Sequence, residues 1–91
     1  MITDDTIAAI ATPIGTAGIG VIRISGPEAV TIASHIFKTS RGSLSDFPSH
    51  TAHHCTLVHP LSGEKIDDVV ATLFRAPSSY TGDDVVEISC H

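Results

Sequence analysis

Aromatic and sulfur-containing residues are scarce in this chain. Its 91 residues include no tryptophan, one tyrosine, three phenylalanines, one methionine and two cysteines. Two cysteines are too few for a disulfide framework, so a small secreted domain held by disulfides is excluded and we expect Cys55 and Cys90 to be free. No apolar run approaches the roughly 20 residues of a membrane-spanning helix. The acidic N-terminus also lacks the basic region of a secretory signal, and we expect a cytoplasmic protein that does not enter a membrane.

Positive charge is also in short supply. Five Lys and Arg stand against ten Asp and Glu, which leaves a net charge of −5. A surface of that sign repels phosphate, so we expect no direct nucleic-acid binding by this chain. The mean hydropathy of +0.25 is too high for a disordered chain, and 91 residues make one small domain. Because the sequence stops at His91 directly after a strand pattern, we expect it to be the front of a longer protein.

The hydrophobic pattern predicts an α+β domain with a mixed sheet of about five strands and a helix packed on one face. A central strand is expected where both faces are apolar, between Val69 and Phe74, and its hairpin partner is expected nearer an edge. The segment 38–49 is polar and predicts a surface loop. The predicted strands are 6–12, 19–25, 51–59, 66–75 and a last one from Val85, with the helix between the second and third.

The helix has a predicted start signal. Ser25 is followed by Pro27 in the first turn and by Glu28 three residues after the serine, which is the spacing of a capping box. Apolar residues recur after it at helical spacing as far as Phe37. The sequence therefore predicts a helix that begins with Ser25 as its N-cap.

Two charged residues stand out because each is alone in an apolar strand. Arg23 lies within a run of isoleucine and valine, and Glu87 is flanked by Val86 and Ile88. A lone buried carboxylate is costly unless a donor meets it, so Glu87 needs a partner. One interpretation is that Arg23 and Glu87 form an ion pair with each other. The other is that both line a ligand pocket, where the carboxylate accepts two parallel N–H bonds from an amidine-like ring edge, as a pterin presents, and the guanidinium holds a carbonyl or carboxylate.

Other chemistry-bearing residues have plainer interpretations. The glycine-rich segment 15–20 lacks the spacing and the following helix of a dinucleotide-binding loop. The histidines and cysteines around His53, His54 and Cys55 lack zinc-ligand spacing, and neighbours on a strand point to opposite faces, so we predict no metal site. Consecutive aspartates at 67–68 and 83–84 are typical of loop ends and caps. We predict no catalytic residue in this chain.

Three stretches carry a resemblance to a known family. They read DTIAAIATP at 5–13, GIGVIRISG at 18–26 and APSSYTGDDVVEISCH at 76–91. In this order and at these offsets they resemble the N-terminal domain of the MnmE (TrmE) family of tRNA modification GTPases. The sequence departs from the family at 13–18, where PIGTAG stands in place of the usual PPGRGG.

The resemblance implies a function for the whole of 1–91. It implies a folate-binding, dimer-forming domain whose fold is similar to the tetrahydrofolate-binding domain of aminomethyltransferases, with Arg23 and Glu87 at the family's folate contacts. The ligand it implies is 5-formyltetrahydrofolate or a related tetrahydrofolate. In the parent protein it implies a GTPase that uses GTP, magnesium and potassium outside this chain.

The same resemblance implies partners and a reaction. A homodimer would form through this domain, and the full-length protein would act on tRNA with the FAD-dependent partner MnmG (GidA). Together they would add a carboxymethylaminomethyl group to the wobble uridine. Two alternatives stay open, a purely structural dimerisation module without a ligand and a one-carbon folate transferase.

Overall fold

The computed structural model describes residues 5–10, 20–76 and 82–90. Those residues form one antiparallel sheet, one α-helix and a single-turn 3-10 helix. No helix among them is both long enough and apolar enough to cross a bilayer. In chain order the elements are β1 (Ile7–Ile10), β2 (Gly20–Ser25), α1 (Ala29–Ile36), β3 (Phe37–Lys38), the 3-10 helix (Leu44–Asp46), β4 (Thr51–Val58), β5 (Lys65–Phe74) and β6 (Val85–Cys90).

The sheet confirms the α+β class and corrects two details of the prediction. Its strand order is β1-β2-β6-β5-β4-β3, so the described residues form six strands rather than about five, the extra one being the two-residue β3. Every pairing is antiparallel, so the prediction of a mixed sheet was wrong. The physical reason is that α1 carries the chain from β2 across to β3 at the far edge. A helical crossover creates a parallel pair only when it joins neighbouring strands.

The start of α1 differs from the predicted capping box. Ser25 is still part of β2, where it pairs with Val85, and the helix begins only at Ala29. Glu28 is the N-cap residue, and within the described residues its own side chain makes no capping hydrogen bond. Instead, the backbone N–H of Glu28 donates to Thr6 Oγ1 at 3.0 Å. The start of a helix leaves several backbone N–H groups without an intrahelical acceptor, and the Thr6 hydroxyl, just before β1, accepts from one of them.

The core lies between α1 and one face of the sheet. Side chains alternate along each strand, so one set faces the helix and the other set faces away from it. The buried residues of the helix-facing set include Ile24, Val69, Ala71, Leu73, Val86 and Ile88, which pack against Ala29, Val30 and Ala33. No described helix packs on the opposite face, which we call the helix-free face. Its residues on the central strands are Val21, Arg23, Ser25, Val70, Thr72, Phe74, Val85, Glu87 and Ser89.

The segment 38–49, which was predicted to be a polar surface loop, contains a 3-10 helix and a buried leucine. Leu44 is fully buried in the core, and its 3-10 helix packs against α1. The Arg75 side chain, just after β5, fixes this segment. Its Nε and Nη2 donate to the Phe47 carbonyl at 3.1 and 2.7 Å, and Nη2 also donates to the Ser45 carbonyl at 3.0 Å. The loop is therefore joined to the sheet by both apolar burial and charge-assisted hydrogen bonds.

Candidate functional site

The register of β2 with β6 brings the two predicted site residues together. Arg23 of β2 lies directly opposite Glu87 of β6, although 64 positions separate them in the sequence. Residues directly opposite each other in an antiparallel pair share one face of the sheet, with Cβ atoms about 5 Å apart. Both side chains therefore project from the helix-free face, on the side of the sheet opposite the core beneath α1.

Arg23 and Glu87 are in direct contact. The guanidinium donates to a single carboxylate oxygen, from Nη2 to Oε1 at 2.8 Å and from Nε to Oε1 at 3.1 Å. The side chains retain 35% and 24% of their exposure, respectively. Because water still reaches the pair, its Coulombic contribution to stability is screened and amounts to roughly 0.5–1 kcal/mol. The interpretation in which the two residues form an ion pair is confirmed by this geometry, while ligand binding by Arg23 and Glu87 stays a prediction.

The row across the sheet continues past the ion pair. Glu87 lies opposite Thr72 of β5 on its other side, and Arg23 lies opposite Ala9 of β1. The helix-free face thus presents a small side chain, a cation, an anion and a hydroxyl in one line across four strands. Thr72 was not predicted from the sequence to be a site residue. Its place beside Glu87 follows from the register of β5 with β6, and no local feature of the sequence marks it.

The chemistry of this row suits a polar planar ligand. A carboxylate accepts two parallel N–H bonds from an amidine-like group in the same way that it accepts them from a guanidinium. Glu87 can therefore exchange one planar donor for another without leaving its charge uncompensated. Arg23, once released from Glu87, keeps donors for a carbonyl or carboxylate group of a ligand.

The histidine and cysteine residues in β4 have local structural partners. The His53 ring stacks on Phe47 with centroids 3.8 Å apart and shares a hydrogen bond with Thr51 Oγ1 at 2.7 Å. Cys55 is fully buried, and burial raises the pKa of its thiol above the ordinary value of 9.0. Within residues 5–10, 20–76 and 82–90, no three His, Cys, Asp or Glu side chains lie close enough together to hold a metal ion.

The paired aspartates also serve local structure. Asp68 Oδ2 accepts from Lys65 Nζ at 3.1 Å, and the carboxylate of Asp67 accepts from the next backbone N–H at 2.8 Å. Asp84 Oδ1 accepts from the backbone N–H of Ala76 at 2.8 Å, which joins the two ends of the segment before β6. Asp84 lies just before β6, so its interpretation as a loop end is confirmed, whereas Asp67 and Asp68 lie within β5, so that interpretation was wrong for them. The glycine-rich turn before Gly20 lies outside the described residues.

Comparison with known proteins gives a consistent result across the chain. The family model of the GTP-binding protein TrmE N-terminus matches residues 6–91. The tRNA modification GTPase MnmE of Chlamydia abortus is 52% identical over 91 residues, which is 100% of this chain. The proteins with the same name from Koribacter versatilis and Carboxydothermus hydrogenoformans are 52% and 48% identical over 88 and 89 residues, in each case 97% of this chain.

These relatives are much longer than the chain described here. The chain spans 19% of the length of each of the three. The match to residues 6–91 spans positions 23 and 87 and nearly all of the three stretches on which the family resemblance was recognised in the sequence. The chain therefore belongs to the family of the TrmE N-terminus.

Proposed function

We propose that residues 1–91 form a tetrahydrofolate-binding and dimerisation domain of a GTP-hydrolysing tRNA modification protein. The ligand of this domain is 5-formyltetrahydrofolate or a related tetrahydrofolate, held by Arg23 and Glu87. The longer protein uses GTP with magnesium and potassium outside this chain. Acting as a homodimer with an FAD-dependent partner, it adds a carboxymethylaminomethyl group to the wobble uridine of tRNA. The chain itself supplies binding and has no catalytic residue in this proposal.

One observation carries the folate part of the proposal. The strand register places a carboxylate and a guanidinium side by side on the helix-free face, within reach of a ligand and away from the core. A pterin ring has an amidine-like edge that a carboxylate recognises with two charge-assisted hydrogen bonds. Membership of the TrmE family supports the tRNA modification part, since the relatives are named tRNA modification GTPases. The proposal includes a fold relationship to the folate domain of aminomethyltransferases.

The test is calorimetry of the full-length protein with 5-formyltetrahydrofolate. Glu87→Ala is expected to weaken binding by well over tenfold, because hydrogen bonds to a charged group contribute roughly 1.5–3 kcal/mol each. Glu87→Gln, which keeps the side-chain volume, is expected to lose most of the same affinity. Glu64→Ala, at the exposed turn between β4 and β5, is the matched control and should bind as the unmodified protein does. Equal affinity in the Glu87 and Glu64 variants would remove Glu87 from the site.

The observed ion pair favours a second candidate function. With Arg23 Nη2 only 2.8 Å from Glu87 Oε1, the pair can act as a cross-strand contact in a structural dimerisation module that binds no small molecule. The same titration separates the two functions. A full-length protein that forms a dimer but releases no heat of binding with 5-formyltetrahydrofolate supports the structural module.

A further inference from the structure

A surface cavity lies at the β3 edge of the sheet, two strands away from Glu87. Strand β3 has only two residues and pairs with Thr56 and Leu57 of β4. The chain then leaves β4 at a turn closed by a bridge between Thr39 and Gly42. Between this turn and β4 is a cavity of about 330 Å³, which we call the edge cavity; it is lined by Thr39, Ser40, Arg41, Ala52, His53 and His54. Small-molecule sites have volumes of about 300–1,000 Å³, so the edge cavity is large enough for a small ligand.

The turn beside the edge cavity offers hydrogen-bond donors that have no acceptor in the protein. Within the described part of the chain, neither the Arg41 guanidinium nor the Ser40 hydroxyl makes a hydrogen bond or an ion pair. Thr39 Oγ1 accepts from the backbone N–H of Arg41 at 3.2 Å, which leaves its own hydroxyl proton for another acceptor. A guanidinium has only donors, and each hydroxyl can donate. Three consecutive residues therefore offer donors to a group that is rich in acceptors.

The charge of the edge cavity is opposite to that of the chain. Asp and Glu outnumber Lys and Arg by ten to five, yet the lining residues include an arginine and two histidines and no acid. Two carboxylates nearby already accept from other donors, Asp46 from the Ser43 N–H at 3.2 Å and Asp68 from Lys65 Nζ at 3.1 Å. Asp68 also lies 3.9 Å from His54 Nε2, at the outer limit of an ion pair. The lining therefore favours an anionic ligand.

We infer that the edge cavity binds the phosphate group of a small phosphate monoester. The Arg41 guanidinium donates to two phosphate oxygens, and the hydroxyls of Thr39 and Ser40 donate to the others. A monoester suits the charge balance better than a nucleic-acid backbone does, because a polyanion would extend over the surface of a chain with a net charge of −5 and be repelled by it. The inference does not depend on the proposed folate contacts.

The experiment is calorimetry of the full-length protein with glycerol 3-phosphate as the probe. GDP is kept at a saturating concentration, so that the nucleotide site proposed for the longer protein contributes no heat. Arg41→Gln is expected to weaken binding roughly tenfold or more, because it removes charge-assisted hydrogen bonds. Ser40→Ala should weaken it roughly three- to tenfold through the loss of one hydrogen bond.

Lys38→Gln is the matched control for charge. It removes one positive charge three positions from Arg41, but the Lys38 ammonium donates to the Ser34 carbonyl of α1 at 3.1 Å and does not line the edge cavity. This variant should bind glycerol 3-phosphate as the unmodified protein does. Ser40, Arg41 and Lys38 are exposed, so the melting temperatures should be unchanged, and a loss of binding can be separated from a loss of folding.

Three outcomes would overturn the inference. The first is an absence of binding heat when the unmodified protein is titrated with glycerol 3-phosphate at millimolar concentration. The second is an equal loss of affinity in Arg41→Gln and Lys38→Gln, which would indicate general attraction of anions to the surface. The third is Arg41-dependent binding of a single-stranded RNA oligomer without binding of the monoester, which would assign the cavity to a phosphodiester backbone. The proposed folate function is tested separately with 5-formyltetrahydrofolate, so either can fail without the other.

Discussion

Leu44 offers a sharp test of the packing, because its burial contradicts the polar character of the segment around it. The side chain is fully buried in the core, and the 3-10 helix that begins with Leu44 packs on α1. Leu→Ala at a fully buried site destabilises by about 2–5 kcal/mol, since the lost apolar contacts leave a cavity. A domain of this size has a total stability of roughly 5–14 kcal/mol, so a loss of about 3 kcal/mol is a large fraction.

The assay is thermal unfolding followed by circular dichroism. For a domain of 60–100 residues, 1 kcal/mol corresponds to roughly 4–8 °C, so Leu44→Ala is expected to lower the melting temperature by roughly 12–24 °C. Leu61→Ala makes the same chemical change at a side chain that is 91% exposed, and it should change stability by less than about 0.5 kcal/mol. Similar melting temperatures for the two variants would refute the packing of the 38–49 segment against the core.

Two further predictions concern backbone conformation and ionisation. Gly26→Ala should destabilise by at least about 2 kcal/mol in denaturant unfolding, because Gly26 has φ 143° and a Cβ there would lie 2.6 Å from the Cα of Thr6. Gly63 has φ 76°, and an added Cβ there would have no atom within 4 Å, so Gly63→Ala introduces backbone strain without a steric clash and should cost about 1 kcal/mol. An equal loss of stability at Gly26 and Gly63 would refute the close approach of Gly26 to Thr6. Because burial raises the pKa of Cys55 in the folded protein, the folded state holds its proton more tightly than the unfolded state does. The free energy of unfolding should therefore fall as pH rises above about 9 by up to about 1.4 kcal/mol per unit, and Cys55→Ala should reduce that slope; an unchanged slope would contradict the assignment.

Parts of the fold were predictable from the residue pattern of individual strands and turns. The run Val85–Cys90 and the hairpin of β4 and β5 follow from apolar patterning and from the turn residues between them. The central position of β5 and the near-edge position of β4 were also predicted correctly. These features depend on short-range sequence, where the period of the side chains determines which face is buried.

The remaining features depend on contacts between distant segments. The N–H of Glu28 is capped by Thr6, 22 positions earlier, so the local Ser25 spacing gave a false start for the helix. The segment that contains the buried Leu44 is also bound by Arg75, which donates to the Ser45 and Phe47 carbonyls from about 30 positions away. A strand order with β6 between β2 and β5 also cannot be read from the order of the strands along the chain.

The same distinction between short-range sequence and distant contacts applies to the residues of the candidate site. Arg23 and Glu87 were recognisable because an isolated charge in an apolar strand is costly unless it has a partner. Their direct contact at 2.8 Å confirms the expectation that Glu87 has a partner. Thr72 could not be recognised, because a threonine in a strand is ordinary and its place beside Glu87 follows only from the register of β5 with β6.

The most direct measurement is a crystal structure of the full-length protein soaked with 5-formyltetrahydrofolate. We expect a pterin ring on the helix-free face, with its amidine-like edge within roughly 2.7–3.2 Å of the Glu87 carboxylate. The Arg23 guanidinium should then have left Glu87 Oε1 and turned to the ring carbonyl. A two-fold dimer in which this face carries no ligand and the 2.8 Å contact between Arg23 and Glu87 persists would refute folate binding by these two residues.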